Sequence, residues 1–137
     1  MLELAFFDTN IFLYAYSRAP EDLPKRDRAR ELLIRFAPVV STQVLQEFIA
    51  AALRKPALAI GEPQLDEFLA LTAHYLVLPV DRPLILHATT LRRRFSISHW
   101  DSTLLAAAHA SGCSTLYSED LQHGFALDQL TIVNPFQ

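Results

Sequence analysis

The stretch Leu2 to Phe7 is apolar except for Glu3, and it runs straight into Asp8-Thr9-Asn10, three residue types that cap helices. A near-continuous apolar run suits a strand buried on both faces, and such strands belong to parallel sheets covered by helices. The helical pattern Ile11-Phe12-Leu13-Tyr14-Ala15-Tyr16 follows at once. A buried strand that turns directly into a helix points the chain to the α/β class within its first sixteen residues.

The rest of the chain repeats the alternation. Lys25 to Phe36 reads as an amphipathic helix with Ala29, Leu32, Leu33 and Phe36 on its apolar stripe. Pro38-Val39-Val40 is a short strand, and Ser41-Thr42 opens a helix that runs through Leu53 until Pro56 forbids it. Glu62 to His74 is a helix with Pro63 in its first turn, and Tyr75 to Val80 a strand. Pro83 to Phe95 is a helix ending in Arg92-Arg93-Arg94. Ser98-His99-Trp100-Asp101 opens an Ala-rich helix that Gly112 closes. Ser114 to Tyr117 is a strand, Glu119 to Gly124 a short turn or helix, and Leu130 to Val133 the last strand. Strands separated by helices predict an α/β/α sandwich with a mostly parallel central sheet of four to five strands. No repeat, low-complexity segment or linker divides residues 1–137, which read as a single domain.

Composition narrows the setting. No apolar run is long enough for a membrane helix, and the N-terminus has no basic region of a signal peptide. The single Cys113 cannot form an internal disulfide, which favours the cytoplasm. A net charge of −3 argues against broad electrostatic binding of nucleic acid while leaving room for a local basic rim.

Four acids stand at the strand-to-helix junctions or on the helices beside them: Asp8, Glu47, Asp101 and Asp120. In an open parallel sheet the ligand site lies beyond the carboxyl ends of the strands, and all four can reach that edge. Carboxylates gathered there repel one another, by about 3 kcal/mol per pair at about 5 Å and an effective dielectric near 20. A divalent cation removes that cost, and a carboxylate-held cation is a tool for phosphodiester chemistry. Each acid also has a plainer role. Asp8 can cap a helix, Asp101 can complete a Ser98-x-x-Asp box, Glu47 can face solvent and Asp120 can sit in a turn. Trp100 reads as a packing aromatic, His109 as structural and His123 as a loop residue.

Taken in order, FFDTNIFLYA, STQVLQEF, SISHWDSTLLAAA and LYSEDLQHG followed by LTIVNPF resemble a PIN domain, and more narrowly the VapC-type toxins of bacterial toxin–antitoxin pairs. The resemblance runs nearly end to end. It implies a Rossmann-like fold and an endoribonuclease that uses Mg²⁺ or Mn²⁺. Carried over by position, the metal-binding and catalytic acids would be Asp8, Glu47, Asp101 and Asp120, with Thr9, Asn10 and Ser118 in support. Glu119, beside Asp120, leaves the fourth ligand open. The resemblance also implies a homodimer and a small antitoxin partner. Arg54, Lys55, Arg82, Arg92, Arg93 and Arg94 are candidate contacts for RNA phosphates.

Other acid-at-sheet-edge enzymes fit less well. A receiver-like domain needs a lysine late in the chain, and the only lysines are Lys25 and Lys55. A phosphatase of the haloacid-dehalogenase type needs an acid two residues after its nucleophile, where Asn10 stands. The remaining alternative is an inactive PIN-like scaffold that binds RNA or a partner.

Overall fold

The computed structural model describes residues 1–137. Six strands form one sheet: β1 (Leu4–Phe7), β2 (Ala37–Ser41), β3 (Leu76–Leu78), β4 (Thr115–Tyr117), β5 (Ala126–Leu127) and β6 (Leu130–Val133). Six α-helices flank it: α1 (Thr9–Tyr16), α2 (Leu23–Arg35), α3 (Thr42–Arg54), α4 (Glu62–Thr72), α5 (Arg82–Phe95) and α6 (His99–Ala110). The strand order is β3-β2-β1-β4-β6-β5.

All pairings except β5–β6 are parallel, with Phe6 opposite both Val39 and Leu116. Ala5, Phe6 and Phe7 are fully buried, as a central strand requires. The chain leaves β1 toward β2 and β3, then returns to β4 on the other side of β1. That reversal puts the switch point between β1 and β4, where a cleft opens at the carboxyl ends of the strands.

Five parallel strands match the expectation, and the sixth is an addition. Ala126–Leu127 pairs antiparallel with β6 around a turn in which Asp128 takes a left-handed backbone, φ 53°. Two residues carry no alternation, so their strand state comes from the partner and leaves no local pattern. The first strand is shorter than expected: Leu2 and Leu4 are exposed, and the buried part begins at Ala5. Helix α2 starts at Leu23, since Pro24 fits its first turn, and a 3₁₀ turn at Pro20–Asp22 feeds it. Residues 119–124 form turns with no helix.

Aromatic packing fixes α1 and α3. The rings of Phe48 and Phe68 stack at 3.9 Å, and Phe12 meets Phe68 edge-on at 5.2 Å. On α6, Leu104 to Ala108 are all buried, and the small Ala106–Ala108 side chains let that helix lie close to its neighbours. No helix is long and apolar enough to cross a membrane.

Candidate active site

The site grows from the β1–α1 junction. Asp8 follows β1 directly, extends the ladder by donating its N–H to the Tyr117 carbonyl at 3.0 Å, and caps α1. Asp8 is 6% exposed. One carboxylate oxygen accepts the Thr9 N–H at 2.7 Å; the other accepts the Ser118 hydroxyl at 2.7 Å and the Asn10 amide at 3.3 Å. Burial pushes the Asp8 carboxyl up to about 7. The Ser118 and Thr9 bonds pull it down, while the negative charges of Asp120 and Glu47 push it further up. Desolvation wins because no positive charge answers it.

Asn10 joins the two strand ends. Its amide nitrogen also donates to Asp120 Oδ2 at 3.1 Å, so carboxylate oxygens of Asp8 and Asp120 lie around one N–H₂ group. Its carbonyl oxygen accepts the Glu119 N–H at 3.3 Å. Ser118 works from the other side: its hydroxyl binds Asp8 and accepts the N–H groups of Asp120 and Leu121 at 3.1 and 3.2 Å.

Glu47 enters from α3. The Gln43 amide donates to one of its oxygens at 2.7 Å, and the Thr9 hydroxyl to the other at 3.3 Å. The Gln43 nitrogen also binds the Trp100 carbonyl at 3.1 Å, tying α3 to the start of α6. Gln43 was not anticipated from sequence. Its signal was available, because residues four apart on a helix are neighbours.

Asp8, Glu47 and Asp120, with Thr9, Asn10, Arg54 and Lys55, line one cleft of about 880 Å³. Asp101 does not line it, although Trp100 and Thr103 on the same helix do. Asp101 is half-buried in the first turn of α6, where its N–H donates to the Ser98 hydroxyl at 3.1 Å. Half of a capping box is therefore present. Arg82 lies at the start of α5 and Arg92, Arg93 and Arg94 in its last turn, all outside the cleft lining.

Trp100 departs from its expected packing role. It is 66% exposed at the cleft, with His99 edge-on at 4.8 Å. Glu119 and Asp120 make different contacts. The Glu119 carboxylate takes the Tyr14 hydroxyl at 2.9 Å and the Lys25 ammonium at 3.1 Å, while Asp120 turns to Asn10. His123 is a loop residue, as expected, and accepts the Asn134 N–H at 2.9 Å.

The donor set is all oxygen, which suits a hard divalent cation. A carboxylate raised first by burial and then by two neighbouring acids is what an added positive charge would relieve, so these residues fit one. As they are placed, no three carboxylate, imidazole or thiol side chains stand close enough together to hold an ion; Asp8, Asp120 and Glu47 are each held by neutral donors instead.

Fold and site together define an α/β protein with an acidic cleft at the switch point of a parallel sheet. The PIN domain family model matches residues 5–125, and the chain belongs to that family. Nucleases of this family generally use divalent metal ions. Among solved structures, a toxin–antitoxin complex from Klebsiella pneumoniae is similar at 18% identity and TM-score 0.68, covering 96% of this chain and 97% of that one. FitAB bound to a DNA fragment is similar at 20% identity and TM-score 0.75, covering 97% and 96%. VapC20 of Mycobacterium tuberculosis, a toxin that cleaves the sarcin–ricin loop, is similar at 19% identity and TM-score 0.68, covering 86% and 92%. At these identities the likeness is one of fold. No curated protein sequence gives a significant match.

Proposed function

We propose that this chain is a metal-dependent endoribonuclease acting as one domain over residues 1–137, the toxin of a type II toxin–antitoxin pair. The observation that carries this is the buried Asp8 carboxylate, set beside Glu47 and Asp120 in a cleft that also holds Arg54, Lys55 and an exposed Trp100.

Asp8, Asp101 and Asp120 would hold Mg²⁺ or Mn²⁺, with Glu47 close by. A bound cation supplies polarisation of a phosphate oxygen and a lowered pKa for a water. Glu47, oriented through both oxygens by Gln43 and Thr9, would take the proton of the water that attacks phosphorus, while the phosphorus bond to the leaving ribose oxygen breaks and that oxygen takes a proton from solvent. Asn10 and Ser118 keep Asp8 and Asp120 in register across the two strand ends. Arg54 and Lys55 meet the phosphate backbone, and Trp100 offers a face for a base. The toxin–antitoxin structures of the same fold support a small antitoxin as partner. Cytoplasmic location and a homodimer belong to the same proposal.

The test is RNA cleavage by the wild type, Asp8→Asn and Glu47→Gln in Mg²⁺ and Mn²⁺. Cleavage by the wild type that each substitution lowers by about 10²-fold or more would support the assignment. Equal rates in all three would sink it. One observation favours a second reading, an inactive scaffold: Asp101 stands outside the cleft lining. RNA binding without cleavage in either metal would select it.

A further inference from the structure

The loop after β4 carries two adjacent acids, and the fold sends them in opposite directions. Asp120 faces Asn10, whose amide also binds Asp8. Glu119 faces Lys25 on α2, whose ammonium lies 3.1 Å from both of its carboxylate oxygens. The Tyr14 hydroxyl adds a bond to Glu119 at 2.9 Å and accepts one from Lys25 at 3.3 Å. The ammonium itself sits over the ring of Tyr14, 4.9 Å from its centroid, and near that of Phe136 at 5.6 Å. Tyr14 and Phe136 pack edge-on at 5.1 Å. Lys25 is therefore seated by two aromatic rings and a hydroxyl before it meets Glu119.

The arrangement sorts charge. Both Glu119 and Asp120 line the cleft, and a two-acid loop could send either to a cation. With Lys25 in place, Glu119 is already answered by a positive charge and a phenol, and the acid left unanswered by any cation is Asp120. The short helix α1 links the two outcomes, since Asn10 and Tyr14 lie one turn apart on it and each holds one acid.

We propose that Lys25 is a positioning residue that, with Tyr14, holds Glu119 out of the cation site, so that Asp120 alone is the acid the β4 loop contributes. This rests on the metal-dependent reading above. Lys25 acts through Glu119 and touches neither metal nor substrate.

The test is Mn²⁺ titration by calorimetry on the wild type, Lys25→Met, Glu119→Gln, the double variant and Lys25→Arg, with circular dichroism to confirm folding. The pair is partly exposed, so its loss leaves the fold intact. Lys25→Met frees a carboxylate beside Asp120 and should bind Mn²⁺ at least about threefold more tightly, because affinity follows the number of anionic ligands. The double variant should return to the wild-type affinity, and Lys25→Arg should match it. A purely structural lysine would not give this reversal by Glu119→Gln. Unchanged affinity in Lys25→Met, or a double variant that stays like Lys25→Met, would overturn the proposal while the wild type still binds metal. Weaker binding in the double variant than in the wild type would overturn it too, by making Glu119 a ligand. A wild type that takes up no Mn²⁺ would overturn the metal reading and this inference with it.

Discussion

Asp8 concentrates the cost of the site in one side chain. Its carboxyl is raised from 3.8 to about 7 in the folded chain, first by burial. A raised acid binds its proton more tightly folded than unfolded. Its contribution is therefore fully present below pH 4 and is lost as pH rises through about 7. Denaturant melts of the metal-free protein in chelator should show falling stability between pH 4.5 and 8, by up to roughly 4 kcal/mol. Asp8→Asn should flatten that slope, and saturating Mg²⁺ should flatten it in the wild type. A pH-independent wild type in chelator would refute the argument. Trp100 gives a second residue-scale outcome, because it is the only tryptophan and is 66% exposed. Binding of RNA to the Glu47→Gln variant should quench its fluorescence, and Trp100→Ala should weaken that binding by about 1–3 kcal/mol if a base stacks there. Fluorescence unchanged at saturating RNA would remove Trp100 from the substrate path. Asp8, Glu47 and Asp120 were legible as a set because each follows a readable strand or lies on a readable helix. The exposure of Trp100 was not, since an aromatic beside a helix start looks the same whether its neighbours cover it or not. Nor could the chain reveal that Lys25 would meet Glu119, a pairing of residues 94 positions apart that only the folded sheet creates.

Among the elements, the β1–α1 junction was readable because strand, cap and helix are contiguous and each obeys a local rule. Hairpin β5–β6 was half hidden, because β5 owes its two residues to their partner and its turn to a left-handed Asp128. That turn reaches back to the helices. Asp128 lies 2.7 Å from His109 Nε2 on α6, whose Nδ1 lies 3.0 Å from His87 Nε2 on α5. The simplest proton placement has His87 donating to His109 and His109 to Asp128. Burial holds His87 below its ordinary pKa, and a positive His109 would lower it further. A base depressed in the fold stabilises it above the unfolded pKa, and that stability is lost as pH falls through the folded value. The stability of wild type relative to His87→Gln should accordingly shrink as the solution is acidified below about pH 6.5. Taking the difference cancels the opposite trend from Asp8. A difference that stays constant from pH 8 to pH 5 would show that the relay does not tie α5 to α6.

At the scale of the whole molecule, charge and shape divide the basic residues that looked equivalent in sequence. The net charge is −3, so any attraction for a phosphate backbone has to come from local cations. Arg54 and Lys55 end α3 inside the acidic cleft, about two helical turns beyond Gln46 and Glu47, which also line it. Arg92, Arg93 and Arg94 cluster in the last turn of α5, where they complement its helix dipole, and Arg94 lies 4.7 Å from the Phe95 ring centroid. Salt titrations of RNA binding separate the two groups. Each phosphate that a single strand no longer has neutralised by the protein lowers the slope of log affinity against log salt by about 0.7. Replacing both Arg54 and Lys55 by neutral residues should therefore reduce the slope by about 1.4, whereas Arg93→Ala should leave it within error. The reverse pattern, with the α5 arginines carrying the slope, would place the RNA along α5 and leave the acids of the cleft without a substrate within reach.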